Sequence, residues 1–209
     1  MVMKRNVACI PAIIFVLFTL TVHAQPCTLT GPSNMIVKAD EGKEGATVEF
    51  PPITGLGSGD CGTITYTPAS GSFFRIGSHS IAVTTSFGQK SFFTLTVTDN
   101  EPPVLSPLTL SSKNLSPRDK MKKVAVNYTV SDNAQNVKTV LSVRSNDTES
   151  NNKDWEIIDD HLVRLKSSPL SSGTPRIYTI TVSCTDDAGN TTTRTTHVTV
   201  AGVAGYASN

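Results

Sequence analysis

The chain has 209 residues, 18 basic against 17 acidic, of which 38% are hydrophobic and 6% aromatic. Lys4 and Arg5 sit in a leader read as removed, so the mature chain is close to neutral and has no long-range field to gather nucleic acid or anionic lipid. The densest basic stretch, residues 113–123, holds Arg118, Lys120 and Lys122 but also Asp119 and no interleaved aromatics, which reads as a solvated loop.

Residues 1–24 have the pattern of a secretory signal peptide. Lys4 and Arg5 form the cationic head, residues 7–20 the apolar run, and Val22-His23-Ala24 the site for cleavage after Ala24. The run falls short of the roughly 20 residues that span a bilayer, so a retained anchor is the weaker alternative. Gln25-Pro26 ahead of Cys27 is not a lipid-attachment pattern. The expectation is a secreted or cell-surface protein, with no membrane insertion once the signal is gone.

About 185 residues remain, enough for two sandwich-sized domains. In residues 25–101, apolar and polar residues alternate in short runs: 35–37, 46–50, 63–67, 80–84 and 92–97. In the last, Phe93, Leu95 and Val97 point one way and Thr94, Thr96 and Thr98 the other, as one face on a core and one in water requires. Pro51-Pro52, the glycines at 55–59, residues 68–71 and Phe87-Gly88 separate the runs. The pattern predicts an antiparallel β-sandwich.

Several of these segments carry a family likeness. Asp60-Cys61-Gly62, Thr65-Tyr66-Thr67-Pro68, Ser70-Gly71-Ser72-Phe73 and Ile76-Gly77-Ser78-His79, closed by Phe93 to Pro103, resemble the hyalin repeat (HYR) module. That resemblance implies an immunoglobulin-like fold and a part in adhesion or extracellular interaction. Of the mature cysteines, Cys27 and Cys61 both fall in this domain and are expected to form a disulfide, with two free thiols as the alternative. Cys184 lies on the apolar face of a later run and reads as a small buried hydrophobe.

Asp99-Asn100-Glu101-Pro102-Pro103 ends the first domain. Residues 102–201 then repeat the β pattern at 104–110, 124–130, 137–143, 156–165, 177–185 and 195–200. Tyr178-Thr179-Ile180-Thr181-Val182 with Asp187-Ala188-Gly189-Asn190 resembles an immunoglobulin-like module of bacterial exported proteins. The fold expected is all-β: two tandem immunoglobulin-like antiparallel β-sandwiches, 25–101 and 102–201, after a signal peptide at 1–24 and before a tail at 202–209.

Strand parity adds an inference. In a seven-strand sandwich whose first strand leaves the linker, the second-to-third and sixth-to-seventh loops return to the linker end. In the second domain these loops hold Asp132 and Asn133, and Asp186, Asp187 and Asn190, which would face Asp99, Asn100 and Glu101. Calcium takes roughly six to eight oxygen ligands from such side chains. In outline the arrangement is similar to that of cadherins, which place calcium between sandwich domains behind an Asp-Asn-x-Pro linker. Turn chemistry accounts for the same residues: Asp-Ala-Gly-Asn is an ordinary hairpin turn, and prolines end strands. Both readings stand.

No nucleophile elbow, zinc-hydrolase helix or phosphate loop appears, and the three mature histidines show no zinc spacing. Asp154, Glu156, Asp159 and Asp160 mimic a glycosidase pair only in composition and read as an acidic hairpin. The expectation is a non-catalytic interaction, adhesion or structural module whose partner is a protein or glycan at the cell surface. The alternative is a carbohydrate-binding accessory protein that stacks sugars on Trp155, the single tryptophan.

Overall fold

Alternation in the sequence becomes alternation in burial. Along Lys90–Thr98, Phe93, Leu95 and Val97 are buried while the threonines between them face outward. The computed structural model describes residues 27–52, 57–58, 61–134, 136–148 and 153–203. The predicted signal peptide, most of the glycine-rich segment at 53–60 and the tail beyond 203 lie outside the described residues.

Two sandwiches follow one another. In the first, a sheet ordered Met35–Lys38, Lys90–Thr98, Gly77–Thr85, Ile64–Thr67 packs on the pair Gly45–Val48 and Ser72–Arg75. Phe50, Phe74, Phe93, Ile81, Val83 and Leu95 fill the space between, and Phe93 meets the Phe50 ring edge-on at 5.4 Å. In the second, Thr109–Leu110, Met121–Asn127, Leu162–Lys166 and Trp155–Asp159 face Asn114–Leu115, Thr191–Val200, Arg176–Asp186 and Val137–Ser145. Their core centres on Tyr178, Ile180, Val182, Val124, Val126 and Leu165.

The strands differ from the sequence expectation in several places. Each sandwich has a parallel pair, Met35–Lys38 with Lys90–Thr98 and Asn114–Leu115 with Thr191–Val200, because the chain changes sheets after its first strand segment. Ser72–Arg75 is a strand that no clean alternation announces. The run at 156–165 is a hairpin, Trp155–Asp159 and Leu162–Lys166, turning at Asp160 and His161 without glycine or proline. Lys122 and Lys123, expected in a loop, lie on Met121–Asn127.

One short pair sets up the junction. Val104–Leu105, just past the prolines, is antiparallel to Val130–Ser131, so the residue after it, Asp132, emerges beside the linker. Arg194 fixes this pair to the sheet by donating from Nε to the Leu105 carbonyl at 2.6 Å.

Candidate interdomain cation site

Three strand ends meet at the junction. Asp99 follows Lys90–Thr98, Asp132 follows Val130–Ser131, and Asp186 closes Arg176–Asp186. One carboxylate oxygen from each lies within 4.8 Å of the others. Asp186 is buried; Asp99 and Asp132 are half-buried.

Their hydrogen bonds leave a directed deficit. Asp99 Oδ1 accepts from the Glu101 N–H at 3.1 Å and from Asn133 Nδ2 at 3.3 Å. Asp132 Oδ1 accepts from the Ala134 N–H at 2.8 Å. Asp99 Oδ2, Asp132 Oδ2 and Asn133 Oδ1 are buried and have no partner. Such atoms ordinarily find one, because leaving them bare costs about 1–3 kcal/mol each, more when charged. No lysine, arginine or histidine among the described residues forms an ion pair with any of the three carboxylates. At an effective dielectric of about 20, each pair at this spacing repels by about 3 kcal/mol. Burial, and then the charges of Asp99, Asp186 and Glu101, raise the Asp132 carboxyl above its ordinary 3.8 against the opposing pull of the Ala134 N–H.

The donors are all oxygen, which suits a hard cation such as calcium and not zinc. Asp99, Asp132, Asn133 and Asp186 fit that role, and water would supply the remaining positions of a calcium shell.

The other residues anticipated from sequence stand around this group. Asn190 donates its backbone N–H and its Nδ2 to the two oxygens of Asp186, both at 2.8 Å, and so orients that carboxylate. Gly189, at φ +91°, supplies the positive backbone angle of that turn. Asp187 instead accepts from Asn136 Nδ2 at 2.8 Å, and Asn100 is exposed. Glu101 accepts the Gly42 N–H on both oxygens, at 3.0 and 3.1 Å. Asn133 Nδ2 also reaches the Lys43 carbonyl at 3.1 Å.

The turn at 40–45 is therefore a part of the junction that the sequence reasoning missed. Its signal was the polar run Asp40-Glu41-Gly42-Lys43 after a strand that ends at the same pole as Lys90–Thr98.

Elsewhere, Cys27 and Cys61 form a disulfide, and Cys184 is a buried free thiol. Three of the four hairpin carboxylates are committed to structure, and Asp160 is exposed. Asp154 is buried against Arg176, Glu156 pairs with Arg164 at 3.0 Å, and Asp159 accepts the His161 N–H at 2.7 Å. Trp155 is half-buried and packs against the second core.

No protein-family model matches the chain, and no curated protein does either. Solved structures similar to it include extracellular domains 3–5 of Drosophila OTK, with 10% identity and TM-score 0.43 over 84% of this chain and 62% of that one. Immunoglobulin domains 1–4 of Sidekick-1 share 9% identity at TM-score 0.43 over 83% of this chain and 48% of theirs. The chain thus spans less than two thirds of either. Human mucin-like protocadherin EC1-2 gives 12% identity and TM-score 0.37 over 86% of this chain and 99% of that one.

Proposed function

We propose that this chain is a secreted or cell-surface, non-catalytic adhesion or structural module whose two sandwiches are locked by calcium at their junction. In this reading a signal peptide at 1–24 precedes a hyalin-repeat-like domain at 25–101 and an immunoglobulin-like domain at 102–201. The observation that carries it is the trio of buried oxygens without partners, Asp99 Oδ2, Asp132 Oδ2 and Asn133 Oδ1, beside the buried Asp186 carboxylate.

A bound calcium would neutralise the mutual repulsion and tie the linker to two loops of the second sandwich. Asn133 extends that tie to the first sandwich through the Lys43 carbonyl. The result is a stiff spacer that presents its outer faces to a protein partner at the cell surface. A glycan partner is the weaker reading, since Trp155 packs on its own domain.

Calorimetry of the purified protein with calcium, magnesium or EDTA tests this. At calcium near 100 times its Kd, the linkage amounts to about 2.7 kcal/mol, seen as a clear rise in Tm that Asp99→Asn abolishes. An unchanged Tm in calcium and EDTA would sink the calcium reading.

A further inference from the structure

The sheet that ends in Asp186 has an open edge. Val137–Ser145 pairs along all nine residues with Arg176–Asp186, and no described residue pairs with its other side. The remaining edges are short or broken. Met35–Lys38 and Ile64–Thr67 have four residues each, and a register shift between Ile157 and Asp159 interrupts Trp155–Asp159. Proteins usually blunt a long edge with proline, a bulge, a covering loop or charged side chains, because its free N–H and C=O groups template another strand. Among the described residues, the only such device on this edge is the pair Lys138 and Arg144, which repels a basic strand and accepts an acidic one. Val137–Ser145 has neither proline nor register break.

Its side chains divide cleanly. Leu141 and Val143 point into the core, while Lys138, Val140, Ser142 and Arg144 are exposed. Neither Lys138 nor Arg144 forms an ion pair among the described residues. Beside the edge runs an open groove of about 590 Å³, lined by Ser142, Val143, Arg144, Ser145, Trp155 and Ile157.

We propose that this edge binds an extended acidic segment of a partner protein by strand addition. Main-chain hydrogen bonds to Val137–Ser145 supply the affinity, and alternating side chains supply the choice of partner. On the groove side the added strand lays apolar residues over Trp155 and Ile157. On the outer side it sets carboxylates against Lys138 and Arg144. Charge disfavours a second copy of this strand in the fully overlapped register. Two copies paired antiparallel about Leu141 bring Lys138 against Arg144 twice, and like charges directly opposite destabilise a sheet.

The test uses the full chain in calcium buffer and a nine-residue capped peptide of alternating valine and threonine with glutamate second from each end. Amide hydrogen exchange is expected to slow within Val137–Ser145 alone, with a shift in Trp155 emission. A matched peptide with lysine for glutamate should bind roughly tenfold more weakly at low salt. The double substitution Lys138→Glu with Arg144→Glu, at exposed positions that leave the core intact, should reverse that preference. Three results overturn the proposal: no protection with either peptide, equal affinity for both, or protection of this strand that grows with protein concentration in the absence of peptide. The last would identify a second copy as the occupant. None of these outcomes depends on whether the junction takes calcium.

Discussion

The two ends of Arg176–Asp186 hold buried charge in opposite ways. They are about 34 Å apart at the usual strand rise. At one end Arg176, 4% exposed, meets the carboxylates of Asp147 and Asp154, and Lys166 adds a second cation at 3.7 Å from Asp154. At the other, Asp186 meets Asp99 and Asp132 with no cation among the described residues paired to any of them. Burying a charge is tolerable when a partner and hydrogen bonds replace water. The first end meets that condition from within the sequence. At the second, Asp99 Oδ2 and Asp132 Oδ2 have no such partner among the described residues, and under the calcium reading proposed above an external ion would take that place.

The largest effect should come from breaking the self-sufficient end. Arg176→Ala removes the guanidinium that pairs with Asp154 and Asp147 and frees the Ser168 carbonyl that Arg176 Nε now satisfies at 2.9 Å. The expected loss is about 3–5 kcal/mol, read by urea unfolding and equal in calcium and EDTA. A loss below about 1 kcal/mol, or one that depends on calcium, would erase the distinction between the ends.

A smaller but more telling effect is expected at the junction, where one substitution should change sign with conditions. Asp132→Asn keeps the shape and removes one of three like charges. In EDTA it should stabilise the protein by about 1 kcal/mol, because repulsion and the burial of an unpaired charge are relieved. In saturating calcium it should destabilise by about 2–3 kcal/mol, because a ligand and most of the binding linkage are lost. The same substitution measured in both buffers gives the comparison; the same sign in both would mean that the cluster is ordinary turn chemistry.

How visible these features were in the sequence depended on their range. Alternation announced Lys90–Thr98 and Arg176–Asp186 because a half-buried strand writes its burial directly into a period of two. Parity placed Asp132 and Asp186 near Asp99 because loops of a sandwich have only two ends to occupy. Ser72–Arg75 escaped because Phe73 and Phe74 are adjacent apolar residues and only Phe74 is buried. Arg176 with Asp154 was illegible for another reason. The partners are 22 positions apart, Arg176 on a strand and Asp154 in the bend ahead of Trp155–Asp159, and the acidic hairpin reads as a solvated face until the fold turns Asp154 inward. The bond from Gly42 to Glu101 was illegible too, because nothing local shows that a glycine amide 59 positions earlier will donate to both its oxygens.

The smallest predicted effect compares the two ends through their protons. In EDTA, burial and neighbouring carboxylates raise Asp132 above 3.8, so the folded protein holds this proton more tightly than the unfolded chain. Its contribution to stability is then complete below about 3.8 and is lost as pH rises through the folded value. Tyr178 acts with the same sign at the alkaline limit. Burial raises its phenol above 10.0, so its contribution is complete below about 10 and is lost at higher pH. Bound calcium should invert the acid leg alone. The cation holds the Asp132 carboxyl ionised, the folded state then binds fewer protons than the unfolded chain, and stability rises with pH across the same interval. Unfolding free energies of the unsubstituted protein minus those of Asp132→Asn, taken across both pH ranges with and without calcium, isolate the acid leg from the other carboxylates. Tyr178→Phe does the same for the alkaline leg. An acid leg indifferent to calcium, or an alkaline leg that follows it, would show that the two ends do not divide the work as their charges suggest.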